Sequence, residues 1–304
     1  MDYKEFAEQM VDEINAQLNE EEQASYALAD GNVKEDSIVI KMREKGVMLG
    51  AAVESLYKAH YAGASVKELA CDMLKAKKEC QTLKGLGKVK MLENYDAVKE
   101  DLFVRAVNAK RNPSVLERGI YKQTGDMVLG VYLRVDESEG RICTTMVDRI
   151  YLDKWGLSGE TVVERALSNT MRTDPPRIYN STHLLLSAMT GEWDGISLEN
   201  FSCDDMEDVG FCFLSTNKKT NGAAAIFYPG VLRRICEKLS TPAVYVVPTS
   251  IHDVAIHDSI YVYDERDLLT IAEMVKEQST PERDILSDHI FKYELQTDEI
   301  TEVM

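Results

Sequence analysis

Apolar residues recur at helical spacing from the start of the chain: Phe6, Met10, Val11, Ile14 and Leu18 share one face. "ASYALADGN" and "DSIVIKMRE" then carry the β-branched and aromatic content of two short strands around a turn at Gly31-Asn32. "AAVESLYKAHYAG" and "SVKELACDMLKAKKEC" predict helices separated at Gly63, the second capped by Ser65. "NYDAVKEDLFVRAVNAKRN" reads as a further helix stopped by Asn112-Pro113. From there the pattern turns strand-like. "DMVLGVYLRVD" and "GRICTTMVD" flank the polar turn "ESEG", and "LSGETVVERALSNTM" is a helix capped by Ser158. "VGFCFLS" and "AAAIFY" predict strands around a turn containing Asn221-Gly222. "GVLRRICEKLS" predicts an amphipathic helix, "AVYVV" a buried strand, and "ERDLLTIAEMVKEQ" a helix capped by Asp264.

Helices dominate the first third and mixed elements the remainder, so the expected class is α+β and not a regular β-α-β winding. The expected division is a helix-rich region at 1–100 with a short hairpin, an α+β core at 101–285 and an acidic tail at 286–304. A composition of 44% hydrophobic and 29% charged residues is that of a globular chain. No stretch approaches the roughly 18–20 apolar residues that span a bilayer, so no membrane is expected. The opening "MDYKEFAEQMVDEINAQLNEEEQ" is acidic and amphipathic, unlike a signal peptide, and points to the cytoplasm. Six cysteines without a C-x-x-C pair are expected to be free thiols there, with Cys212 in a core strand.

Charge narrows the partners. Lys+Arg 35 against Asp+Glu 52 leaves a net charge of -17, which makes nucleic acid unlikely and favours solubility or a basic protein partner. The balance is uneven: Lys75–Lys122 holds 12 basic and 6 acidic residues, while Asp264–Met304 holds 4 and 12. The basic region is either part of a mixed solvated surface or a face for nucleic acid or for the acidic end.

Chemistry could reside in "YVVPTSIHDVAIHDS", Tyr245–Ser259, where two of five histidines each precede an aspartate. A shared metal site at His252 and His257 is disfavoured. On a helix a five-residue step separates them by about 140°, and on a strand it puts them on opposite faces. No metal or other cofactor is expected. A nucleophile pair of Ser250 and His252 would share a strand face, but Asp253 could not orient that histidine from the other side, and no G-x-S-x-G elbow is present. Ser250-Ile251-His252-Asp253 also has the form S-x-x-D, a capping-box variant that would start a helix with Ile251, Val254 and Ala255 inward. That structural reading leads. "KGLGKVK" lacks P-loop spacing and reads as a turn. "CDDMED" reads as an acidic loop without the glycine and distal glutamate of an EF-hand. His60, His183 and His289 carry no constellation.

The run "LSTNKKTNGAAAIFYPGVLRRICEKLSTPAVYVVPTSIHD" resembles an uncharacterised bacterial family found chiefly in anaerobic gut Firmicutes. In that family an "NGA" hairpin precedes a helix, a strand and a segment close to P-S-S-x-H-E. "YKAHYAGASVKELACDML", "GVYLRVD" and "WGLSGETVVERALSNT" resemble its other blocks, and a smaller bacterial family is similar over the later two thirds. The chain departs from the pattern at Thr249 and Asp253, where Ser and Glu are expected. The resemblance implies a bacterial cytosolic protein and supplies no activity, cofactor or partner. The resulting expectation is a non-enzymatic binding or adaptor protein. The alternative is a small-molecule hydrolase with its site at Asn221, Ser250, His252 and Asp253.

Overall fold

The computed structural model describes residues 2–19, 22–27, 36–41, 48–82, 89, 91–138, 141–183, 189 and 195–303. The chain divides into two units, Met1–Gly87 and Lys88–Met304. The division therefore falls before the expected boundary at residue 100. The expected turns at Gly31-Asn32 and in "KGLGKVK" lie largely outside the described residues.

In the first unit, helix α1 (Tyr3–Asn15) begins at Asp2, whose side chain accepts the Glu5 amide at 2.8 Å. Its periodic face buries Phe6, Met10 and Ile14. Strands β1 (Gln23–Ala27), β2 (Ser37–Lys41) and β3 (Met48–Ala52) form an antiparallel sheet in that order, one strand more than expected. Helix α2 (Val53–Tyr61) follows, then α3 (Val66–Thr82). Ser65 and Glu68 cap α3 reciprocally: Ser65 Oγ accepts the Glu68 amide at 3.2 Å, and Glu68 Oε2 accepts the Ser65 amide at 2.9 Å.

The second unit begins at Lys88. The helix expected over "NYDAVKEDLFVRAVNAKRN" survives only as α4 (Tyr95–Val98). Leu102–Asn108 is instead strand β4. Leu102, Val104 and Ala106 alternate into the core, and pairing with a partner strand outweighs the weak helical period. Pro113, expected to stop a helix, sits in the first turn of α5 (Pro113–Arg118), where its missing N–H costs nothing. Strands β5 (Tyr121–Thr124), β6 (Met127–Ser138) and β7 (Arg141–Met146) follow; β6 pairs with β4, β5 and β7. Next come helices α6 (Ile150–Trp155) and α7 (Gly159–Thr173), the latter capped by Ser158, whose Oγ accepts the Thr161 amide at 3.2 Å.

The remaining elements build a larger antiparallel sheet. They are β8 (Pro176–Tyr179), β9 (Ile196–Ser197), β10 (Phe211–Thr216), α8 (Val231–Leu239), β11 (Ala243–Pro248), β12 (Val254–Asp258), α9 (Glu265–Ser279), β13 (Phe291–Glu294) and β14 (Glu299–Glu302). The seven strands lie in the order β14-β13-β11-β12-β10-β8-β9. The acidic tail expected at 286–304 thus carries two strands of this sheet. "FKYE" buries Phe291 and Tyr293 and turns its charged residues outward, so local acidity does not exclude it from the core. "AAAIFY", expected as a strand, is mostly 3-10 helix (Gly222–Phe227), with Ala223 to Ile226 buried. One face of each of the second unit's two sheets packs with α7, α8 and this 3-10 segment into a single core. The other face of the larger sheet packs Tyr245, Val247 and Ala255 against Leu268 and Ala272 of α9.

Candidate functional site

The segment Thr249–Asp253 connects β11 to β12 as a hairpin turn, with Pro248 opposite Val254. No helix starts at Ser250. The capping reading is therefore corrected: S-x-x-D closes a turn here. Ser250 Oγ accepts the His252 amide at 2.9 Å, and the Ser250 amide donates to the Asp253 carbonyl at 3.2 Å. A short polar side chain bonding to nearby backbone serves a turn as well as a helix start. The residues after Asp253 decide between the two. "VAIHD" alternates between two buried faces and pairs with strands on both sides, β10 and β11.

Asp253 is fully engaged in this architecture. Its carboxylate accepts the hydroxyls of Thr249 and Ser250, the latter at 3.2 Å, and the Tyr179 hydroxyl at 2.9 Å. Burial first, and the Asp253 charge second, push the Tyr179 phenol well above its ordinary range. Asn221, in the left-handed region at φ 57°, donates its backbone N–H to His252 Nδ1 at 3.1 Å. Nδ1 is thereby the acceptor, which leaves the proton of a neutral ring on Nε2. Gly222 lies so close that a Cβ there would sit 2.2 Å from Ser215 Oγ and 2.6 Å from the His252 carbonyl. Only glycine permits this approach.

The fold thus brings together all four residues singled out from the sequence, as two pairs: Asn221 with His252, and Ser250 with Asp253. It does not join Ser250 to the imidazole. The Ser250 hydroxyl donates to Asp253, whereas a nucleophile relay requires it on the histidine ring.

Next to this turn lies a feature that sequence reasoning missed. A cavity of about 340 Å3 opens between α9 and the outer face of the larger sheet, with Thr249 at its wall. Val247, Ala255, Phe211 and Phe213 form its floor, and Leu268 and Ala272 its helical side. Tyr261 and Tyr263 stand exposed beside it. His257 is buried in the floor and stacks on Phe211 at 5.1 Å between ring centres. Burial alone pushes its imidazole down to about 4, so it is neutral near pH 7. The signal was present in the alternation of Ala255 and His257, which share a strand face with Tyr245 and Val247 once "VAIHD" is paired. Reading the segment as a helix hid it.

A family model described as a family of unknown function, DUF5688, matches residues 3–295. The chain belongs to this family. No curated protein and no solved structure matches it. Membership agrees with the resemblance to an uncharacterised family and assigns no reaction to the DUF5688 chain. Among the described residues, no three His, Cys, Asp or Glu side chains are grouped to hold a metal ion. Within "CDDMED", Asp205 is occupied by the Ser202 amide at 2.8 Å in a short 3-10 turn. His183 bonds to Asn180 Oδ1 at 2.7 Å. His60 Nδ1 bonds to the Ala64 carbonyl at 2.8 Å and its ring stacks on Phe6. No described helix is long and apolar enough to cross a membrane.

Proposed function

We propose that this chain is a binding protein that lodges the apolar part of a ligand, or an apolar side chain of a protein partner, between α9 and the larger sheet. The observation that carries the reading is the 340 Å3 cavity. Its size lies within the range of small-molecule sites, and such sites combine apolar walls with few polar groups. Here the polar groups are neutral His257 in the floor and Thr249, Asp264 and Asp267 around it. Two carboxylates and a net charge of -17 favour a neutral or cationic ligand and disfavour nucleic acid. Free thiols at Cys71, Cys203, Cys212 and Cys236 suit a reducing cytoplasm.

Titration with an apolar fluorescent probe such as N-phenyl-1-naphthylamine tests the reading. Saturable binding is expected in the wild type. Ala272→Phe, which fills the cavity from the buried side of α9, is expected to weaken it at least about ten-fold. Equal binding in both proteins, or none in either, overturns the proposal. The second reading, a small-molecule hydrolase at Asn221, Ser250, His252 and Asp253, draws support from the placement of His252 against Asn221. It requires turnover that disappears in His252→Ala while the fold persists.

A further inference from the structure

A second cavity, of about 40 Å3, lies where β4 and β6 meet the end of α7 and the loop before Asn221. Three cationic side chains line it: Arg105 from β4, Arg134 from β6 and Lys218 from the loop. The strand alternation that sends Leu102 and Val104 inward puts Phe103 and Arg105 on the opposite face. Register then sets Phe103 beside Tyr132. The Arg105 guanidinium packs over both rings, 5.2 Å from the centre of Phe103 and 5.0 Å from that of Tyr132.

Its electrostatics are unbalanced. Arg105 Nε is buried, and among the described residues it meets no hydrogen-bond acceptor. No described carboxylate pairs with this guanidinium, and burial pushes its pKa down. Aromatic faces attract a cation but do not accept its N–H groups as an oxyanion does. One carboxylate, Asp174, lines the same cavity. Its oxygens are taken by the Thr216 hydroxyl at 2.8 Å and the Lys218 amide at 2.9 Å; burial raises its pKa, against the smaller opposing pull of the Lys218 and Arg134 charges. Even a half-buried guanidinium without a counter-ion is costly, because its desolvation is not repaid.

We propose that Arg105, Arg134 and Lys218 form a binding site for one oxyanion group, the phosphate or carboxylate of a small ligand. The volume suits one such group, since a single water needs only about 10–15 Å3 on a comparable scale. The flat guanidinium forks match either anion. Thr220, exposed at the edge of the cavity, donates its hydroxyl to the Lys218 carbonyl at 3.3 Å and so ties down the loop that carries the lysine. The site is separate from the apolar cavity beside α9 and does not depend on the reading given for it.

Thermal melting of the full chain in sodium phosphate and in sodium acetate, each against sodium chloride of equal ionic strength, tests the site. A saturable rise in melting temperature is expected with at least one anion, and which anion gives it identifies the group bound. Arg105→Met is expected to abolish the rise while the ligand-free variant melts no lower than the wild type, since a half-buried charge without a described counter-ion has been removed. Lys218→Gln, at the half-exposed edge, keeps the core intact and is expected to weaken binding on the order of ten-fold. No anion-specific rise, or a rise that persists undiminished in Arg105→Met and Lys218→Gln, overturns the proposal. A non-saturating rise common to all three proteins is general salt exclusion and overturns it equally.

Discussion

His257→Leu tests whether the floor of the apolar cavity is as dry as its packing implies. The folded chain holds the imidazole neutral, with its pKa pushed from 6.5 to about 4 by burial. The unfolded chain restores the ordinary value, so between those limits the unfolded state takes up a proton that the native state refuses. Stability from this group is therefore complete above about pH 6.5 and is lost as pH falls. With one pKa unit worth about 1.4 kcal/mol, the loss is about 2 kcal/mol by about pH 5 and about 3 kcal/mol by about pH 4. Carboxylates also titrate at the acid end, but they do so in both proteins. The difference between wild type and His257→Leu isolates the histidine. Urea unfolding at a series of pH values measures it, with circular dichroism as the readout. Wild type should lose stability relative to the variant below about pH 6, at a slope approaching one proton. Parallel profiles down to about pH 4.5 would show that the imidazole is hydrated or paired, and the dry-floor account would fail. In the wild type, probe binding should weaken over the same interval, because an imidazolium in the floor is a poor neighbour for an apolar ligand.

The hairpin turn yields two further outcomes and the thiols one. Asp253→Ala removes the carboxylate that accepts the Tyr179, Thr249 and Ser250 hydroxyls, leaving Thr249 its bond to the backbone carbonyl of the same residue, and should cost about 2–3 kcal/mol, whereas Ser250→Ala should cost about 1 kcal/mol; chemical denaturation gives both values. A larger loss for Ser250 than for Asp253 would contradict the turn described here. Gly222→Ala should destabilise the chain markedly, because its Cβ would sit 2.6 Å from the His252 carbonyl and 2.8 Å from the Thr216 amide nitrogen, and backbone cannot step aside as a side chain can. A melting temperature equal to that of the wild type would refute that close approach. With a thiol reagent near neutral pH, Cys203 should react in the native protein, while Cys212 should react only after unfolding, since full burial pushes its thiol well above the ordinary range.

Several elements are legible in the sequence because their causes are local. The face of α1, the reciprocal Ser65–Glu68 cap of α3, the Ser158 cap of α7 and the Asp264 cap of α9 each depend on residues a turn or less apart. The strands "VGFCFLS" and "AVYVV" are recognisable from their own content, and the α+β class comes with them. The four candidate residues can also be picked out from the sequence, yet their roles cannot. The short polar side chains of S-x-x-D can bond nearby backbone at a helix start or in a turn, so the motif alone does not tell the two apart. Nothing within the segment reveals that β10 and β11 wait on either side of "VAIHD".

Tertiary structure decided the rest. Leu102–Asn108 has too short an alternation to betray a strand until β6 pairs with it. Gly222–Phe227 is drawn out of strand geometry by small residues that press against β10 and the hairpin turn. The acidic end joins the sheet because Phe291 and Tyr293 find a core contributed by residues far earlier in the chain. The two candidate cavities are of the same kind. His257 is neutral because α9 and the sheet enclose it, and Arg105 meets no counter-charge among the described residues because of which side chains its strand face meets. Burial and pairing are properties of neighbours in space, and a period read along one strand cannot contain them.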